Sequence, residues 1–246
     1  MKIVAITQAR MGSTRFPGKV LKEVNGQSLL ELHLERIGRS KMVTEIIVAT
    51  TTNSKDDVLA DYCAAKNIHC FRGSEDDVLS RYYHAAKNAG ADWVVRVTSD
   101  CPLIDAELMD EVIEKTIAGK YDYGTNVFEE TFPDGVDVEV LSFAALERSN
   151  QAAFEKHDRE HVTTFLRREA DVNGGKEFRC FGLNSPVNYH HIRLTVDHED
   201  DYLLVKQLVE AIGPHASWKA YAQYVESHPG LLALNAHYVR NAYLKK

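Results

Sequence analysis

The 246-residue chain has only four cysteines and no CxxC pair, so Cys63, Cys70, Cys101 and Cys180 lack the spacing of a zinc or redox motif and read as small buried thiols. No apolar run approaches the ~20 residues that cross a bilayer, and Met1 to Ile6 lacks the long apolar stretch of a signal peptide. The expectation is a cytoplasmic, soluble protein that does not engage the membrane. No Pro/Gly/Ser-rich linker, low-complexity tract or block of like charge marks a boundary, and residues 1–246 are expected to form one domain. An excess of positive charge is missing too. Lys and Arg number 29 against 36 Asp and Glu, a net charge of −7, which argues against nucleic acid as a partner. No GxGxxG follows a strand-like run, which disfavours a dinucleotide-binding domain. What remains, 44% hydrophobic and 26% charged residues, suits one sizeable core.

That core reads as alternating strands and helices. Lys2 to Ala9 is a short apolar run, followed by a Gly/Pro-containing stretch and a helical pattern through Leu29, Leu30, Leu34 and Ile37. Strands are expected over Glu45 to Thr51, His69 to Arg72 and Asp92 to Thr98, with helices over Asp56 to Lys66, Asp77 to Ala89 and Ala106 to Ala118. Ser28 with Glu31, Ser54 with Asp57 and Ser74 with Asp77 have the capping-box pattern that opens a helix. Strands joined by helices require right-handed crossovers, so residues 1–118 imply a doubly wound, mostly parallel α/β sheet. The second half, 119–246, is expected to be mixed α/β. Strands fall at Tyr121 to Asn126, Gly135 to Leu141, Phe178 to Leu183 and His191 to Val196, and helices near Arg159 to Arg168, at Asp200 to Ala211 and at Trp218 to Glu226.

Ligands of open parallel sheets bind beyond the carboxyl ends of the strands, so the segment after the first strand is the first place to seek chemistry. There Arg10, Arg15 and Lys19 bring three positive charges into ten residues that contain no acid. Gly12 and Gly18 let the backbone turn and aim amides at a ligand, while Ser13 and Thr14 add hydroxyl donors. Such a loop suits a polyphosphate; the alternative is a solvated basic loop paired with surface acids. It is not a Walker loop, because five residues separate Gly12 from Gly18 and Val20 stands where the metal-binding hydroxyl belongs.

The run ARMGSTRFPGK, Ala9 to Lys19, resembles the signature of cytidylyltransferases that activate acidic sugars, the CMP-KDO and acylneuraminate synthetase group. Ser99-Asp100-Cys101-Pro102-Leu103-Ile104 resembles that family's strand-end Asp motif, Arg159-Glu160-His161-Val162 its Glu-His helix, and Val196-Asp197-His198-Glu199-Asp200 its late Asp motif. The run from Gly73 through Asp76-Asp77-Val78-Leu79 and Arg81-Tyr82 is most like the branch of the spore coat polysaccharide biosynthesis protein SpsF. Cys101 stands where the KDO synthetases usually have Glu, and His198 where they usually have Thr, so the resemblance does not extend to the choice of sugar. It implies a Rossmann-like nucleotide-diphospho-sugar transferase fold, with nucleotide on the first half and acceptor and dimer contacts on the second. It further implies that CMP passes from CTP to an acidic or phosphorylated sugar, or a sugar-like acceptor, for a cell-surface polysaccharide.

The residues support that chemistry on their own terms. A nucleoside triphosphate arrives with Mg2+, which needs a few carboxylates and completes its shell with water and phosphate. Asp100 and Asp197 each end an expected strand and should project from the sheet edge that carries the basic loop, although each alone could be a turn or cap residue. The expected catalytic set is Arg10, Lys19, Asp100 and Asp197, the two acids holding the metal. The expected nucleotide contacts are Ala9, Arg10, Gly12, Ser13, Arg15, Lys19 and Ser99; Arg72 and Arg81 reach base or sugar by resemblance, unless they are ordinary surface arginines.

Asp134, Asp137 and Glu139 cluster in one segment, where alternation sets Asp137 and Glu139 opposite Val136, Val138 and Val140. An exposed acidic face is the default, and contact with the acceptor or with the metal the functional alternative. The resemblance assigns Glu160 and His161 to the acceptor side or to a subunit contact. His157 and His161 share a helical face as in a zinc-protease helix, but Asp158 replaces the required Glu and no third ligand is indicated. Two further readings stay open: a glycosyltransferase of related fold, whose DxD motif Thr98-Ser99-Asp100 only half matches, and a noncatalytic nucleotide-binding regulator.

Overall fold

The computed structural model describes residues 1–240, and its chain alternates strand and helix from the start. After β1 (Ile3–Gln8) come a 3-10 turn at Lys19–Leu21, a small ribbon of β2 (Glu23–Val24) and β3 (Gln27–Ser28), and α1 (Leu29–Ile37). Then follow β4 (Glu45–Thr51), α2 (Asp57–Ala65), β5 (Cys70–Gly73), α3 (Val78–Ala89), β6 (Trp93–Thr98) and α4 (Ala106–Ala118). The second half adds β7 (Tyr123–Thr125), β8 (Glu139–Ser142), α5 (Phe143–Ala152), α6 (Lys156–His161), α7 (Thr164–Arg168), β9 (Cys180–Gly182), α8 (Glu199–Ile212), α9 (Trp218–Glu226) and α10 (Pro229–Asn235).

Seven strands form one sheet in the order β5-β4-β1-β6-β8-β7-β9. The first four are parallel, so the loops after β1, β4 and β6 leave at one edge. β8 alone runs against its neighbours β6 and β7. Its reversal has a consequence for the site: the segment entering β8, residues 134–138, arrives at the edge from which β1 and β6 depart.

Alternation along the strands builds a core on each face. Ile3, Ala5, Val48, Val95 and Val97 pack with α1, α2, α4, α8 and α9 on one side. Val4, Ile6, Ile47, Ala49 and Val94 pack with α3, α5 and α7 on the other. Burial of both faces is why these strands read as continuous apolar runs. None of the described helices is long and apolar enough to cross a membrane. The four cysteines are free thiols, three buried and Cys70 half-buried.

Several expected details are corrected. His191 to Val196 is not a strand of the sheet: Arg193 makes an isolated bridge to Asp134, and the segment lies across the strand ends. The helix expected near Arg159 to Arg168 breaks at Val162, whose φ of 59° and ψ of −55°, with the Thr163 amide donating to the His161 carbonyl at 2.6 Å, make a strained γ-turn. Of the three capping patterns only Ser28 caps its helix; Asn53 caps the 3-10 turn before α2, and Asp77 itself caps α3. The exposed acidic face at Asp137 and Glu139 is absent, for Glu139 is buried. Residues 241–246, the end of the acceptor half, lie outside the described residues.

Candidate active site

The loop after β1 is shaped by its own backbone. Gly18 takes φ +68° and its amide donates to the Met11 carbonyl at 3.2 Å, closing the loop on itself. The hydroxyl of Ser13 accepts from the Phe16 amide at 3.3 Å. Outside, the Met11 amide donates to buried Asp56 at 2.7 Å, which ties the loop to the end of β4. The 3-10 turn that follows points Lys19 inward.

Lys19 joins the loop to both strand-end acids. Its Nζ lies 3.2 Å from Asp100 Oδ2, 2.8 Å from Asp197 Oδ1 and 2.7 Å from the Val196 carbonyl. Burial pulls the lysine pKa down, but Asp100 and Asp197 outweigh it and raise it above the usual value. Asp100 answers in kind: burial would raise it, yet Lys19 and Thr98 hold its carboxyl well below the ordinary carboxylate range. Arg15 reaches the same Asp197 oxygen at 2.9 Å with half its own side chain in solvent.

Asp197 is held by residues that the motifs did not single out. Arg193 donates to Asp197 at 3.1 Å, to Asp134 at 2.6 Å and to Asp201 at 2.9 Å. Asp201 is fully buried and also accepts from the amides of Asp197 and His198, so it caps α8 and aims Asp197 together. The segment meets β6 through the Val196 amide and Thr195 hydroxyl, both donating to the Asp100 carbonyl at 2.7 and 3.0 Å. Gly135 permits the approach from β8's side: at φ +109°, a Cβ there would stand 2.3 Å from the Thr195 amide nitrogen.

The cluster carries more acid than base. Lys19 serves Asp100 and Asp197, Arg193 serves three aspartates, and Arg240 faces Asp137 at 2.7 Å as well as Asp134 and Glu130. Burial and then the neighbouring Asp137 push Asp134 up to about 7, as expected where carboxylates crowd. A divalent cation relieves such an excess. Among the described residues no group of three His, Cys, Asp or Glu could hold a metal by itself. Asp100 and Asp197 nevertheless fit Mg2+, which binds through one or two carboxylates plus phosphates and water, and the Lys19 ammonium already occupies a cationic position between them.

The other expected residues fall into two groups. Ala9 and Ser99 are buried at the ends of β1 and β6, with Gly12 on the open side of the loop. Arg10 is exposed and 3.9 Å from Glu75. Arg81 is buried, donates to the Ser74 carbonyl and leaves Nε without a partner, whereas Arg72 is tied to the Thr51 and Asn53 carbonyls and to Asp57. On the acceptor side Asp137 is partly exposed; burial raises its carboxyl above the ordinary value, and Arg240 beside it opposes the rise. Glu139 instead accepts from Arg96, Tyr123 and Thr163 in the interior, which removes it from direct acceptor contact. Glu160 is exposed on α6, and His161 is half-buried with its ring 4.5 Å from that of His157.

A mostly parallel sheet with a basic glycine loop facing strand-end carboxylates defines a nucleotidyltransferase of Rossmann-like fold. The chain belongs to the cytidylyltransferase family, whose sequence pattern matches residues 4–211. It is 32% identical over 218 residues to the spore coat polysaccharide biosynthesis protein SpsF of Bacillus subtilis, covering 86% of this chain and 88% of that one. The uncharacterized protein MJ1063 of Methanocaldococcus jannaschii is 39% identical over 210 residues, 85% of this chain and 83% of that one. A cytidylyltransferase structure from Leptospira borgpetersenii superposes with a TM-score of 0.87 at 29% identity, covering 98% of this chain and 99% of that one.

Proposed function

We propose that this cytidylyltransferase uses Mg2+ to transfer CMP from CTP to an acidic or phosphorylated sugar, or a sugar-like acceptor, with release of pyrophosphate, and that it serves polysaccharide synthesis as SpsF's name indicates for that relative. One observation carries the reading: Lys19, on the glycine loop, touches Asp100 and Asp197 at once, so phosphate-binding and metal-binding groups share a single cleft.

In the reaction an acceptor oxygen forms a bond to the α-phosphorus while the bond to the pyrophosphate oxygen breaks. Arg10, Arg15 and Lys19 hold the triphosphate, and their charges stabilise the pyrophosphate as it departs. The amides of Arg10, Gly12 and Ser13 and the hydroxyls of Ser13 and Ser99 line the nucleotide, and Arg81, whose buried Nε has no partner, reaches base or sugar. Asp100 and Asp197 would hold Mg2+, which would supply Lewis-acid chemistry to the transfer. Releasing Lys19 and Arg15 from the two acids to the phosphates exchanges one set of charge-assisted contacts for another. The acceptor enters beside Asp137, with Glu160 and His161 at its outer side, and a homodimer forms through the second half of the chain.

Incubation with each nucleoside triphosphate, Mg2+ and a panel of acidic and phosphorylated sugars tests this. Pyrophosphate release specific to CTP and dependent on one acceptor is the expected result. Cleavage of a ready-made sugar nucleotide would indicate glycosyl transfer, and thermal stabilisation by CTP without turnover would indicate a binding module.

A further inference from the structure

α1 follows the phosphate loop and packs beneath β1 and the turn after β6. His33, within α1, is fully buried. Its Nδ1 lies 2.8 Å from the Cys101 carbonyl oxygen and its Nε2 2.9 Å from the Thr7 hydroxyl. A carbonyl only accepts, so Nδ1 carries the proton and donates, and Nε2 of the neutral ring accepts from Thr7. Burial favours that neutral form, pulling the ring down to about 4. Arg36, one turn later, donates to the Ile104 carbonyl at 2.6 Å and to the carbonyls of Pro214 and Ala216. The two side chains thus grip both ends of the turn from Cys101 to Ile104, and the carbonyl that His33 holds lies one peptide unit beyond Asp100.

We propose that His33 is a positioning residue for Asp100: by holding the Cys101 carbonyl against β1 it fixes the direction in which the Asp100 carboxylate leaves the sheet. It touches neither nucleotide nor acceptor. The inference rests on the proposed role of Asp100 in holding metal and nucleotide. Outer partners of that kind change metal-dependent affinity without contacting the ion.

The test is calorimetric binding of CTP to the full chain with Mn2+ and again with EDTA, on wild type, His33→Gln, His33→Ala and His33→Asn. Asn places an amide nitrogen where Nδ1 stands and keeps the bond to Cys101; Gln reaches Thr7 and loses it. The expected result is that Gln and Ala weaken CTP binding in Mn2+ by about tenfold or more, leave binding in EDTA unchanged, and Asn stays within about threefold of wild type. Equal affinities in all four proteins would overturn the assignment, as would a parallel loss in Mn2+ and EDTA, the mark of a merely structural histidine. A wild type that binds no CTP in Mn2+ defeats the nucleotide reading itself, whereas normal wild-type binding with an unaffected Gln variant defeats only the role of His33.

Discussion

Lys19 is the residue on which loop, strand end and late acid converge, and its burial makes the convergence costly to disturb. Removing one partner of a buried ionic group leaves the others uncompensated. Lys19→Met and Asp100→Asn are each expected to lower turnover by about 100-fold or more while far-UV circular dichroism stays that of the folded protein. Near-normal rates in both would remove the site from this cleft. His33 offers a prediction about pH. Its folded-state pKa, about 4, lies below the ordinary 6.5. The unfolded chain therefore binds the proton more readily, and stability present above pH 6.5 is lost as pH falls toward 4. The loss amounts to about 3 kcal/mol. The difference in unfolding free energy between wild type and His33→Phe should shrink by about that amount between pH 7 and pH 4, and a difference independent of pH would contradict a buried neutral ring. Lys19, Asp100 and Asp197 were legible in sequence because charge density and strand ends are local signals. Arg193 and His33 were not, because their partners lie far along the chain: Asp134 is 59 residues from Arg193, and Cys101 is 68 from His33.

Among elements, the two that bring late residues to the strand ends decide the geometry. The 134–138 segment enters antiparallel β8 at the edge where β1 and β6 leave, and Gly135 lets it lie against Thr195 with no room for a side chain. Gly135→Ala should cost at least about 2 kcal/mol through its positive φ and the clash, and should reduce activity further by moving Arg193 off Asp197. Denaturant unfolding checks the first effect and turnover the second; a variant as stable and active as wild type would contradict the packing. The first half was read nearly to the residue, because buried parallel strands and helices of ten or so residues announce themselves by composition and period. Two elements of the second half depart from what their sequence pattern implies. His191 to Val196 has a strand's composition, but its apolar residues are buried by α8 and α9 across the strand ends and not by ladder pairing. The helix near Arg159 breaks because Val162 adopts a conformation that β-branched residues rarely take, which lets Thr163 reach Glu139.

For the whole molecule, a chain of net charge −7 sets the loop cations Arg15 and Lys19 against Asp100 and Asp197 at one edge of its sheet. The doubly wound half supplies the loop and Asp100, the mixed half supplies Asp197 and Asp137, and the cluster around Lys19 needs both. The proposed dimer predicts a solution mass of twice the 27.7 kDa chain by light scattering, and a monomer at assay concentrations would contradict it. Anomalous diffraction from crystals grown with CTP and Mn2+ tests the shared cleft most directly. The predicted result is one manganese peak between Asp100 and Asp197, with Lys19 and Arg15 turned onto the phosphates. CTP bound elsewhere, with Lys19 still bridging the two aspartates, would contradict it.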